Sequence, residues 1–173
     1  MNDEAIKAFF DRLDGLSTGD RAALRREAGT MLKDAGGQAI RAFYQCLPYA
    51  VPQWQEEYFF AAACLRCLWD ANELGQADLV QVLYQLGRDE ETSTSTGHRL
   101  ESLLDTKWDA DGYMLTKLTR LIKLIKSKGY SVDCAELLKD LAYWNADSQW
   151  VQRRWARGMY VRQEEAKAAE EGE

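Results

Sequence analysis

The one histidine, His98, decides which chemistry this chain of 173 residues can carry. A Ser-His-Asp triad or a Cys-His pair would have to pass through it, and a zinc-protease helix needs two histidines four residues apart. A ferritin-type di-iron bundle needs two Glu-x-x-His motifs, and this sequence has none. No G-x-G-x-x-G or P-loop string offers a nucleotide cradle. Cys64 and Cys67 form C-x-x-C, but inside an apolar helical pattern, and Cys46 and Cys134 supply no second matched pair. Buried small thiols are therefore expected rather than a zinc site. Glu56 and Glu57 are adjacent, so on a helix they point about 100° apart and make a poor acid–base dyad. His98, just after Gly97, reads as a surface or cap residue. The expectation is a protein with no catalytic residue, no metal and no cofactor.

Cations remain as the side chains that could do something. Between Gly112 and Lys128 there is no acid, and at about 100° per residue Met114, Leu115, Leu118, Leu121, Ile122 and Ile125 gather on one side of a helix. Lys117, Arg120, Lys123 and Lys126 fall on the rest, with no carboxylate at i+4 to neutralise them. Solubility alone does not require charge of a single sign, so this face is either a solvated one or one that attracts phosphate. The last helical pattern adds Arg153, Arg154 and Arg157. Arg153, Arg157 and Tyr160 stand at i, i+4 and i+7, so Tyr160 either packs inward or offers a flat surface beside two guanidinium groups. Arg21 and Arg25 share a face earlier in the chain, with Arg26 about 100° round. That trio is open to internal salt bridges as much as to ligand contacts.

The net charge of −6 conceals this arrangement. Residues 1–111 hold 11 Lys+Arg against 19 Asp+Glu, residues 112–162 hold 10 against 4, and residues 163–173 hold 1 against 5. A basic stretch between acidic ones can draw phosphate while the particle stays soluble.

Positioning these cations requires helices. Only 2 Pro and 12 Gly punctuate the chain, and apolar residues recur at helical spacing almost throughout. The reading is all-α, with about nine helices in two packed halves. The N-terminal half spans 1–88. Its elements are a helix over Ala5–Leu13, a second from Ser17 or Thr18 to about Lys33, a third through Cys46, a turn between Pro48 and Pro52, a largely buried fourth over Gln53–Ala71 and a fifth near Asp78–Leu86. The Ser/Thr-rich stretch 89–97 reads as a linker. Residues 98–162 carry four more helical patterns, a half resembling a four-helix bundle that includes a stop at Gly129. Residues 163–173 have no large apolar group and are expected to form a disordered acidic tail. The six tryptophans are expected mainly to fill gaps between helices. The longest apolar stretch, Tyr58–Trp69, is interrupted by Arg66 and too short to cross a bilayer. With no leader pattern and no dense disulfide framework, a cytoplasmic location with reduced thiols is expected.

The string LLKDLAYWNADSQWVQRRWARGMY (Leu137–Tyr160), preceded by HRLESLLD, LTRLIKLIK, AFYQCLP and GDRAALRR (Gly19–Arg26), resembles the CasB family. That family is the small subunit of the type I-E CRISPR effector complex Cascade. The likeness runs in order over roughly residues 5–162. It implies an all-helical subunit without enzymatic activity, present in two copies and lying along the backbone subunits near the large subunit. It also implies a basic surface that helps hold target DNA strands opened when the guide-RNA ribonucleoprotein pairs with them. By position, the family's nucleic-acid-contacting cations fall on Arg25, Arg26, Arg99, Arg120, Arg153 and Arg154. The helical wheel adds Lys117, Lys123 and Arg157. The alternative is a helical scaffold that docks other proteins without touching nucleic acid.

Overall fold

Asn2 opens α1 (Asp3–Asp14) by accepting hydrogen bonds on its side-chain oxygen from the amides of Glu4 at 2.9 Å and Ala5 at 3.3 Å. The first amides of a helix have no partner inside it, and a short polar side chain supplies one. Ser17 does this for α2 (Thr18–Arg26), Asp78 for α5 (Leu79–Arg88) and Asp133 for α8 (Cys134–Ala142). The remaining helices are α3 (Gly37–Cys46), α4 (Glu56–Arg66), α6 (Ser93–Leu104), α7 (Tyr113–Ser127) and α9 (Trp150–Glu171). The computed structural model describes residues 1–73, 75 and 77–172, with the backbone alone for residues 162–170. Among the described residues there are nine α-helices and no strand, so the all-α reading holds.

Two large apolar clusters and a small third, of Met31, Ala61 and Leu115, form the core, and α4 serves all three. Its Phe59, Phe60, Ala62, Ala63 and Cys64 join α1 and α3 in one cluster, where Phe9, Phe43, Phe59 and Phe60 meet edge to face with centroids 5.0–6.0 Å apart. Leu65, Leu68 and Trp69 join α5, α6, α7 and α9 in the other large one. The fourth helix lacks a polar side because it lies between two cores, as its near-continuous apolar run requires. At its end Arg66, only 5% exposed, donates to the carbonyls of Asp70 and Ala71 at 3.0 Å each and lies 3.2 Å from Asp14. Arg21 meets the same carboxylate at 3.0 Å and also donates to the carbonyls of Leu13 and Trp69. One acid thus ties the ends of α1 and α4 to α2.

Several boundaries depart from the sequence expectation. The second helix stops at Arg26 rather than Lys33, because the chain turns at Gly29, whose φ of 97° is in the left-handed region that favours glycine. Glu27 and Glu57 then accept hydrogen bonds from the Gly36 and Leu32 amides, both at 3.0 Å, which holds this turn in place of a helix. The fourth helix starts at Glu56, after a 3-10 turn at Gln53–Gln55, and ends at Arg66. α5 packs mainly on α9 and α6, so it belongs with the C-terminal helices although it precedes residue 88. Helix α6 begins at Ser93, inside the stretch read as a linker. The residue before it, Thr92, donates its Oγ1–H to the Leu86 carbonyl at 2.9 Å, and Thr96, Leu100 and Leu103 are fully buried. The α9 backbone is helical through Glu171, across the segment read as a disordered tail, while the side chains of 162–170 lie outside the described residues.

Candidate nucleic-acid interface

Helix α7 is delimited by glycines. Gly112, with φ 71°, opens it at a point where an added Cβ would come 2.9 Å from Met31 Cγ, and Gly129, with φ 82°, closes it at the stop read from the sequence. Between them Met114, Leu115, Leu118, Leu121, Ile122 and Ile125 are buried, while Arg120, Lys123 and Lys126 are exposed. The wheel is therefore correct for the two central cations. Lys117 lies at the edge of the apolar stripe and is used internally. Its ammonium donates to the Ser102 carbonyl at 3.0 Å and to Thr106 Oγ1 at 2.8 Å, and stands 4.7 Å from the Tyr113 ring centre. It thereby supplies positive charge to the last turn of α6, where helix carbonyls lack partners.

Helix α9 turns Val151, Trp155 and Met159 into the core, which leaves Arg153 and Arg157 on the opposite, exposed side. Arg154 stands between these faces. Its guanidinium hydrogen-bonds Asp140 and lies 3.5 Å from Asp78, while Trp155 Nε1–H donates to the same Asp140 oxygen at 2.7 Å. Burial pushes the Asp140 carboxyl above its ordinary value, against the hydrogen bond from Trp155 and the charge of Arg154, which both lower it. The arginine read as a nucleic-acid contact thus joins α9 to α8 and to the residue that caps α5.

Tyr160 does not extend the arginine strip. It packs on the core cluster, and its hydroxyl is buried with no hydrogen-bond partner among the described residues. The aromatic beside the arginines is Trp150, which is 42% exposed and has its ring centroid 5.9 Å from that of Tyr143, also half-exposed. Trp150, Arg153, Arg154, Ala156, Arg157 and Val161 line one open depression. Sequence reasoning assigns Trp150 to gap filling. Its place three residues before Arg153, on the polar side of the α9 wheel, is the signal that could have found it.

Arg25 and Arg26 are exposed at the end of α2, and Arg21 is the member of that trio spent on internal pairing. Gly29 packs against Thr119, 3.5 Å from its Oγ1 to an ideal Cβ, so the exit of α2 lies beside the residue preceding Arg120. Arg99 is exposed on α6, which packs on α7. Trp144 Nε1–H donates to the Thr106 carbonyl at 2.8 Å and Gln152 donates to the Trp144 carbonyl at 2.6 Å, which joins the start of α9 to the α6–α7 corner. Among the described residues, no side-chain hydrogen bond, ion pair or ring contact engages Arg25, Arg26, Arg99, Arg120, Lys123, Arg153 or Arg157.

Cys64 and Cys67 are buried inside and just beyond α4, and burial holds their thiols up, well above the usual range for Cys64 and to about 11 for Cys67. Among the described residues, no group of three or more His, Cys, Asp or Glu side chains could hold a metal ion. His98 is on the surface, 3.8 Å from Glu101. No helix of the described residues is long and apolar enough to cross a membrane.

These features define an all-helical protein in which four helices expose cations that no acid neutralises among the described residues. Over residues 20–160 the chain matches the model of the family described as CRISPR-associated protein Cse2, and it belongs to that family. The resemblance carried by Leu137–Tyr160 therefore holds. A Cse2-family CRISPR-associated protein from Thermus thermophilus is 26% identical, with a TM-score of 0.74 over 91% of this chain and 97% of that one. CasB of M. ruber has the same fold, with 22% identity and a TM-score of 0.74 over 95% of this chain and 97% of its own. A chain of a pre-nicking CRISPR RNA-guided surveillance complex is 25% identical, with a TM-score of 0.74 over 94% of this chain and 98% of that chain. No curated protein matches the chain.

Proposed function

We propose that this chain is a non-catalytic small subunit of a CRISPR RNA-guided surveillance complex and that it holds target DNA strands in the opened R-loop. Arg25, Arg26, Arg99, Arg120, Lys123, Arg153 and Arg157 would meet the phosphates. The observation that carries this reading is that all seven are exposed and unpaired among the described residues, whereas Arg21, Arg66, Lys117 and Arg154 of the same chain are bound internally. Opening a duplex onto a guide RNA is a near-balanced exchange, so modest backbone contacts can tip it. Sequence is read by the RNA, and contacts to phosphate suffice for a helper. Lys117 and Arg154 then position the helices that bear these cations rather than touching DNA.

Arg120, Lys123, Arg153 and Arg157 changed together to Ala should leave the fold intact and weaken binding of a single-stranded oligonucleotide. The slope of log affinity against log salt should fall by roughly 0.7 for each phosphate that the variant no longer meets. Unchanged affinity and slope in the folded variant would reject the surface. Docking to backbone and large subunits, and to a second copy, belongs to the same proposal. The exposed aromatics Tyr44, Tyr49 and Trp54 on the acid-rich N-terminal side favour protein contacts there. If the whole chain were only a scaffold, the purified protein would not bind DNA even at low salt.

A further inference from the structure

We propose that Trp150, which shares an open depression with Arg153 and Arg157, is a stacking platform for an unpaired base, so that this end of α9 takes a single nucleic-acid strand rather than a duplex. The inference rests on the nucleic-acid reading above and adds to it the form of the ligand.

Three observations carry it. First, Trp150 differs from its neighbours in kind. Trp144 and Trp155, in the same corner of the fold, are 1% and 0% exposed and donate hydrogen bonds to Thr106 and Asp140, whereas Trp150 is 42% exposed. Filling the core cannot be its role. Second, its surroundings are cationic and small. The depression it lines is completed by Arg153, Arg154, Ala156, Arg157 and Val161, with no carboxylate among them, and the guanidinium of Arg154 hydrogen-bonds Asp140. Third, the ring is held. Trp150 is the first residue of α9, set by Gln149 with φ 49°, and Tyr143 leans on it with ring planes at 49°.

An aromatic side chain of this kind stacks on the flat face of a base, and in a duplex that face is already covered by the neighbouring base pairs. The Arg153 and Arg157 guanidinium groups, about one helical turn apart and both on the C-terminal side of Trp150, then meet phosphates of the strand as it runs on along α9. An open depression, unlike an enclosed pocket, lets the strand enter and leave at both ends, as a sequence-tolerant contact requires.

The test uses the full chain with two probes, a 20-nucleotide oligo(dT) strand and a 20-base-pair duplex, whose affinities are measured by fluorescence anisotropy at several salt concentrations. Trp150→Leu should weaken the single strand about tenfold, with the salt slope unchanged and duplex affinity within about twofold. Trp150→Phe, which keeps a ring, should recover most of that affinity. In the wild type, oligo(dT) should quench tryptophan emission, and the quenching should vanish in Trp150→Phe, a readout that does not depend on the Leu variant folding. Single-strand affinity that is insensitive to Trp150→Leu, or that falls equally with duplex affinity, overturns the inference. Loss of co-purifying protein subunits with single-strand affinity intact overturns it in favour of a protein interface. If Arg153→Gln with Arg157→Gln weakens binding while the Trp150 variants do not, the stacking platform fails and the phosphate surface stands. If neither the Trp150 variants nor the double arginine variant weakens binding, the stacking platform and the α9 share of the phosphate surface both fail.

Discussion

Gly158 of α9 lies against Val80 of α5, so close that there is no room for a Cβ between them. The two helices cross at this point, and the crossing sets the direction in which the outer face of α9 presents its arginines.

Gly158→Ala should therefore destabilise the protein although alanine is the better helix former. The gain in propensity is about 1 kcal/mol, and a methyl group forced into a packed crossing typically costs about 1–3 kcal/mol. Chemical denaturation would measure the net loss. Val80→Ala in the same chain should restore part of it, and failure of that rescue would mean the crossing adjusts elsewhere.

Asp14 should matter more than its partial exposure suggests. Among the described residues it is the one carboxylate within salt-bridge distance of both Arg21 and Arg66, whose side chains are 12% and 6% exposed. Removing the partner of a buried charge costs about 3–5 kcal/mol. Asp14→Ala should approach the lower end of that range in urea unfolding, because the carbonyls of Trp69, Asp70 and Ala71 still serve the two guanidinium groups. A loss well under about 1 kcal/mol would show that these carbonyls suffice alone.

Much of this frame was legible in the sequence, and the misses share a physical cause. Periodicity located the helices because burial repeats every three or four residues, and it separated Arg120 and Lys123 from Leu118, Leu121 and Ile122 correctly. It does not show where long or polar side chains find partners on other elements. Lys117 has a stem long enough to reach the α6 carbonyls, Arg154 finds two acids brought near only by folding, and Thr92 and Thr96 anchor a segment that composition alone marks as loop. The wheel leaves Tyr160 open between packing and exposure and groups Trp150 with the core, whereas Tyr160 packs inward and Trp150 is exposed, because a wheel gives direction around one helix and not the neighbours on each side.

Asp140 predicts a pH dependence. Burial raises its carboxyl, so the folded state binds its proton more readily than the unfolded state does. Stability contributed by this group is present below about pH 4, the ordinary carboxyl value, declines as pH rises through the folded value, and is flat beyond it. The unfolding free energy of the wild type minus that of Asp140→Asn should accordingly decrease from about pH 4 upward. A difference that climbs over that range would mean the Arg154 charge outweighs burial.

The four thiols should be silent in the native protein. All are buried, with burial holding Cys46 and Cys67 up to about 11, Cys134 up to about 12 and Cys64 well above the usual range. Because the thiolate is the reactive form, Ellman's reagent near neutral pH should find none of them until denaturant is added, and then all four. A fast-reacting native thiol would contradict the packing around α4.

Helix α4 contributes side chains to both large apolar clusters, and Leu138 of α8 reaches into the cluster built mainly from the first third of the chain. Neither half can close its interior without the other, so melting should proceed as a single calorimetric transition, and fragments cut at the Ser/Thr segment should need each other to fold. The helices that carry the exposed cations, α2, α6, α7 and α9, are then joined through shared packing rather than held in separate units.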